Sequence, residues 1–280
     1  MNEPRDTLNA SLAAGTLETS EHDGQIVSAR IAPAAEGPAV ASALAALLEA
    51  APRLEVLDLT IPGPDTSAAG IADLLLQRPH TGLRSLALRQ DGLDPEDLED
   101  PDQPLLSSGQ LAAFRQALPD MQELEIELPW FSDALEHPTL RNLTILGGAI
   151  RNLDELRLPQ LRRLRWWIPG DVYGVAVPAE DLDPLWSSEA LPELTELDLM
   201  DADLDGPLFT DALMESELLG RLKVLRLRFL DPFTFSEDEE VLPDHIERLA
   251  HLDRLDVRQL PEDEELLEAL PMLHAVDEDE

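Results

Sequence analysis

The chain has 280 residues, 44% hydrophobic but only 4% aromatic, so it can bury a large core and that core must be aliphatic. Its formal charge of −38, from 58 acidic and 20 basic residues, excludes general attraction to nucleic acid or to anionic membranes and favours steering toward basic partners. The absence of cysteine excludes disulfides, thiolate metal sites and a cysteine nucleophile.

Residues 1–23 form an N-terminal extension or cap. They lack a basic segment followed by an apolar run, so no signal peptide is expected there. No stretch of the chain approaches the roughly 20 apolar residues that a membrane helix needs. A cytoplasmic location is the resulting expectation.

From residue 24 to 276 one pattern recurs, apolar-x-x-apolar-x-apolar, before a short acidic tail at 277–280. Its copies are Ile26–Ala29–Ile31, Leu54–Leu57–Leu59, Leu83–Leu86–Leu88, Met121–Leu124–Ile126, Leu140–Leu143–Ile145, Leu161–Leu164–Trp166, Leu194–Leu197–Leu199, Leu222–Leu225–Leu227 and Leu252–Leu255–Val257. A partial tenth begins at Leu273. Successive starts lie 28, 29, 38, 19, 21, 33, 28 and 30 residues apart. Proline stands two residues before the first apolar position at Pro52, Pro119, Pro138, Pro159, Pro192 and Pro271.

The fourth and sixth positions alternate, so on a strand they share one face, the buried one. Residues 39–50, 68–77, 109–118 and 244–252 carry helical spacing between copies, with Ser67, Ser108 and Asp211 at N-cap positions. A short strand and a returning helix cannot bury their apolar faces alone, whereas stacked copies can. The sequence predicts a parallel sheet inside and helices outside. The copies of 19 and 21 residues are too short for a full helix, and the copy of 38 carries an insertion around 91–104.

This pattern resembles the leucine-rich repeat family in its long, ribonuclease-inhibitor-like form. The resemblance implies an α/β solenoid, a horseshoe with a parallel concave sheet and convex helices. It implies binding of a macromolecular partner on the concave face and says little about which partner. The family's Asn or Cys at the ninth position is missing: those slots hold Ala34, Pro62, Asp91, Pro129, Gly148, Pro169, Ala202, Leu230 and Leu260. The loop backbone must be satisfied in some other way, such as by water.

In this register the second, third, fifth, seventh and eighth residues of each copy lie on or beside the concave face. Twelve of the 20 basic residues fall there, against ten acids, so the face is near neutral on a strongly acidic protein. The fifth-position column reads Arg30, Asp58, Ala87, Glu125, Thr144, Arg165, Asp198, Arg226 and Asp256. Its last four members alternate in sign. They can form a cross-strand ion-pair ladder, worth about 0.2–1 kcal/mol per pair, or a ligand surface, and both can hold together. The segment 160–174 is the best local candidate for a contact. Arg162, Arg163, Arg165 and Trp167 would project from one strand, Trp166 would point inward, and Tyr173 follows in a loop. Arg and Trp dominate interface hot spots. Asp198, Arg226, Arg228 and Arg258 complete the expected partner-binding set.

Residues 91–102 hold seven acids and no base, and from Asp231 onward 18 acids face three arginines. Such runs are solvated charge or an electrostatic arm for a basic partner. Asp201, Asp203, Asp205 and Gly206 have the spacing that opens an EF-hand, but Ala212 stands where a bidentate Glu is required. Leu204 falls on the eleventh position of its copy, beside Leu93, Phe131 and Ile150 in theirs, so the stretch reads as a solenoid turn rather than a calcium loop. The six histidines fit no metal or nucleophile motif, and no phosphate-binding Gly loop or G-x-S-x-G appears. The expectation is a non-enzymatic, monomeric protein-binding module without cofactor, nucleic acid or membrane. The alternative is an acidic inhibitor or immunity protein that neutralises a basic effector or toxin. A single lysine, Lys223, against 19 arginines points to a GC-rich genome and a bacterial source.

Overall fold

The computed structural model describes residues 6–7, 9–11, 16–32, 37–62, 68–91, 108–132, 135–150, 156–167, 183–186, 191–200, 212–227, 243–257 and 264–275. Eleven strands form one sheet, and their order across it is their order along the chain. They are β1 (Leu17–His22), β2 (Gln25–Ile31), β3 (Val56–Pro62), β4 (Ser85–Asp91), β5 (Glu123–Ser132), β6 (Asn142–Ile150), β7 (Arg163–Trp167), β8 (Glu196–Met200), β9 (Val224–Leu227), β10 (Arg254–Val257) and β11 (Leu273–Ala275). From β2 onward every neighbouring pair is parallel. Between strands run α1 (Gly37–Ala50), α2 (Ala68–Leu76), α3 (Ser108–Ala117), α4 (Asp183–Trp186), α5 (Pro243–Leu249) and α6 (Glu264–Ala269). Each strand is laid beside its predecessor after a returning segment, which is a solenoid-like α/β arrangement.

The Leu spacing accounts for the core. Leu57 and Leu59, Leu86 and Leu88, Leu143 and Ile145, Leu197 and Leu199, and Leu225 and Leu227 are all at most 1% exposed. Burying one such side chain stabilises by about 1.5–3 kcal/mol, so the repeat is the main source of stability. Trp166 fills the same inward position at 0% exposure.

The prolines have a mechanical role. Leu54 N–H bonds Ala51 O at 3.2 Å, Met121 N–H bonds Leu118 O at 3.1 Å, Leu161 N–H bonds Leu158 O at 3.1 Å, Leu194 N–H bonds Leu191 O at 3.2 Å and Leu273 N–H bonds Leu270 O at 3.0 Å. Each bond closes a four-residue turn whose second residue is the recurring proline, the position where its fixed φ is favoured. The turn ends the returning segment and aims the chain into the next strand. Leu249 to Leu252 closes the same turn without proline at 3.0 Å, which stops α5 at Leu249 rather than at the expected residue 252.

Among the described residues the short copies show no helix, as their length predicts. Residues 135–141 and 156–162 contain none, and a parallel bridge from Glu136 to Arg157 takes their place. Leu135, Leu156 and Leu158 still cover the core there, each at most 2% exposed.

The N-terminal segment takes a form that the repeat does not announce. Strand β1 runs antiparallel to β2, and its Leu17 is 2% exposed in the core. Asp23 (φ 52°) and Gly24 (φ 71°) make the two-residue turn between them. Two successive left-handed residues match the twist of a hairpin, and Asp-Gly is a preferred pair for that turn. At the other edge the partial tenth copy is β11, paired with β10.

Candidate functional site

The face of the sheet opposite the helices carries the polar residues of the repeat in straight rows. Strand register aligns Arg30, Asp58, Ala87, Glu125, Thr144, Arg165, Asp198, Arg226 and Asp256 as neighbours, one per strand from β2 to β10. A parallel row holds Ser28, Val56, Ser85, Glu123, Asn142, Arg163, Glu196, Val224 and Arg254. The backbone ladder extends one residue further, through Glu55, Arg84, Gln122, Arg141, Arg162, Thr195, Lys223 and Asp253.

Two ion-pair networks occupy this face. In the first, Arg89 on β4 reaches Asp58 at 2.5 Å, Glu125 at 2.6 Å and Glu127 at 3.5 Å, and Arg30 flanks Asp58 at 3.7 Å. Burial pushes the Glu127 carboxyl above the usual range; the Glu125 charge adds to the rise, and the Arg89 and Arg165 charges oppose it. Arg165 stands two strands away, so Glu127 and Arg165 act on each other across β6.

The second network alternates along the row: Arg165 to Asp198 at 3.7 Å, Asp198 to Arg226 at 3.9 Å, Arg226 to Asp256 at 2.9 Å, and Asp256 to Arg254 at 2.7 Å. The alternating column expected from the sequence is thus an ion-pair ladder. Asp198 and Asp256 lie under their arginines at 2% exposure, so they meet a ligand only through those arginines.

Exposed arginines gather where the chain enters β6 and β7. Arg162 and Arg163 are exposed, Arg165 is half-buried, and Arg141 is exposed beside them. Arg163 approaches Glu196 at 3.7 Å. Among the described residues neither Arg141 nor Arg162 has an ion-pair partner. Trp167 belongs to β7, where its backbone pairs with Leu146 and Met200. Tyr173, Arg228 and Arg258, the acidic stretch 92–102, the turn 201–211 and the tail lie outside the described residues. A groove of about 440 Å³ opens on this face, with Asp58, Glu123 and Glu125 around Arg89 on one side, Arg163 and Arg165 on the other, and Asn142 and Thr144 between them. Val56, 40% exposed, gives it an apolar patch.

A second set of basic residues sits at the edge of the repeats and bonds backbone carbonyls about one copy earlier. Arg221 donates to Pro192 O at 3.1 Å and Leu191 O at 3.3 Å, Arg248 donates to Ser216 O at 3.0 Å, and Arg78 donates to Leu48 O. The Nε2 of His137 and of His251 lie 3.0 and 2.9 Å from Leu118 O and Leu219 O. The repeat spacing does not mark these residues, although Arg78, His137, Arg221, Arg248 and His251 all precede strands by a few residues. They satisfy the ends of returning segments by side chain.

Among the described residues no group of three or more His, Asp or Glu is placed to hold a metal ion. No helix there is long and apolar enough to cross a membrane.

Fold and face together define a solenoid-like α/β protein with a long, mostly parallel, open sheet whose polar face carries ordered charge. A crystal structure of a Bacteroides fragilis protein from a structural genomics programme is similar in fold, with TM-score 0.61 and 20% identity. The similarity covers 81% of this chain and 66% of that one. No family model matches the sequence, and no curated protein does.

Proposed function

We propose that this chain is a leucine-rich repeat solenoid of the long-repeat type that acts without catalysis in the cytoplasm, binding another protein across the concave, open face of its sheet. The observation that carries this reading is the row from Arg30 to Asp256, charged at all but Ala87 and Thr144, on a face that no described helix covers. Ordered, partly desolvated charge on a rigid sheet favours specific recognition, because the arginines are already positioned before a partner arrives. The contact centres on Arg162, Arg163, Arg165 and Trp167, with Arg226 beside them.

An affinity pull-down from the native cell, repeated with Arg162→Ala, Arg163→Ala and Trp167→Ala combined, tests this. The variant should keep its fold and lose the partner; full recovery of the partner would reject the concave site.

The second reading, an inhibitor of a basic effector, draws on the net charge of −38, most of which lies away from the open face. In that case affinity falls steeply with salt and survives the triple substitution.

A further inference from the structure

The open face is balanced in total but not in layout. On β2 to β5 and the residues that lead into them, three arginines (Arg30, Arg84, Arg89) stand with five carboxylates (Glu55, Asp58, Glu123, Glu125, Glu127). On β6 to β10 and the residues that lead into them, the described residues include seven cations, among them Arg141, Arg162, Arg163 and Arg165, against four carboxylates. The sign changes at β6, whose outward residues Asn142 and Thr144 are neutral.

The groove of about 440 Å³ lies on this boundary. Glu123 bonds the Asn142 amide at 3.1 Å and has no cation of its own among the described residues. Across Asn142 stands Arg163, paired in register with the same residue. Two strand spacings, about 10 Å, separate the acidic wall from the basic one.

We infer that the groove across β5, β6 and β7 recognises a dipolar segment of the partner, an extended peptide with a cationic residue over Glu123 and an anionic residue over Arg163. This inference rests on the concave-face reading and refines it. Charge complementarity selects against the two simpler peptides: an all-acidic one meets Glu123 and Glu125, and an all-basic one meets Arg162 and Arg163. An extended chain rises about 3.3 Å per residue, so opposite charges three residues apart match the span of the groove.

The test uses fluorescence anisotropy at physiological salt with three labelled peptides of equal length. One carries a lysine pair and a glutamate pair separated by two serines, one is lysine-only and one glutamate-only. The dipolar peptide should bind about tenfold more tightly than either control, and Arg163→Glu should remove that advantage while leaving lysine-peptide binding to the acidic outer surface in place. A dipolar peptide that binds no better than the lysine peptide, or that ignores Arg163→Glu, overturns the inference. Circular dichroism melting confirms that the variant is folded. Sedimentation of the free protein checks the competing occupant: a species of twice 30.9 kDa, lost in Arg163→Glu, would assign the groove to a second copy instead. If the native partner depends on Arg162 and Arg163 but the peptides show no preference, the concave-face reading stands and the dipolar one falls. If neither responds, both fall.

Discussion

Arg226 on β9 donates from Nε to the carboxylate of Asp256 on β10 at 2.9 Å, while Asp256 is 2% exposed. Arg254 holds the other oxygen at 2.7 Å, so the carboxylate is shared by two arginines in a setting with little water. Removing one partner of such a group leaves charge without compensation. Asp256→Asn should cost about 3 kcal/mol in urea unfolding. Glu196→Gln, which loosens the exposed pair with Arg163 at 3.7 Å, should cost no more than about 0.5 kcal/mol. Equal losses for the two variants would contradict the burial argument.

Arg89 keeps Asp58, Glu125 and Glu127 together, so Arg89→Met leaves carboxylates facing one another across neighbouring strands. The loss should be about 1–2 kcal/mol at neutral pH and low salt. The Glu127 carboxyl is already held above the usual range and loses an opposing cation in the variant, so the variant should regain part of that stability relative to the parent as pH falls toward 5. Added salt should also narrow the gap. Thermal melts over pH and ionic strength would show both, and a gap that widens on acidification would rule this out.

His137 is 1% exposed and bonds Leu118 O, with Nδ1 facing Thr139. Burial holds its pKa below the usual imidazole value; the Leu118 bond opposes that and the Arg115 charge adds to it. His80 is lowered by the same cause, with Arg78 adding to it. The unfolded chain therefore takes up a proton more readily than the folded one. Stability contributed by neutral His137 is complete above about pH 6.5 and is lost as pH falls through that value toward the folded pKa. His137→Gln should lower stability at every pH yet flatten its decline between about pH 7.5 and 5.5. An unchanged slope would assign the decline to other groups.

Arg221 spans two carbonyls of the preceding copy, at Leu191 and Pro192. Arg221→Met keeps much of the apolar stem and removes the donors, and should cost about 1–2 kcal/mol. Hydrogen exchange should rise locally at the start of β8 and the turn at Leu219–Arg221. Protection unchanged in that region would show that water satisfies those carbonyls equally well.

Much of the architecture is decided by the sequence alone. Apolar residues at the fourth and sixth positions share one face of a strand, so strand positions, inward residues and the polar rows follow from spacing without any tertiary information. Where proline stands two residues before a copy, as at Pro52, Pro119, Pro159, Pro192 and Pro271, it occupies the turn that starts the strand, and the short copies leave no length for a helix. The repeat is silent on the hairpin at Asp23–Gly24, which crosses the boundary drawn at residue 23 and came from the structure.

Other features required the tertiary structure. Sequence placed Asp198 in an alternating column, but only the stacking of β7, β8 and β9 put it beneath Arg165 and Arg226 at 2% exposure. The reach of Arg221 and Arg248 to carbonyls 29 to 32 residues earlier depends on how adjacent copies settle against each other. The division of the open face into an acidic and a basic half, with Asn142 and Thr144 at the boundary, belongs to this class as well. Spacing determines which side of a strand a residue faces; which charges become neighbours is decided between strands far apart in sequence, where packing and desolvation select among pairings that composition leaves open.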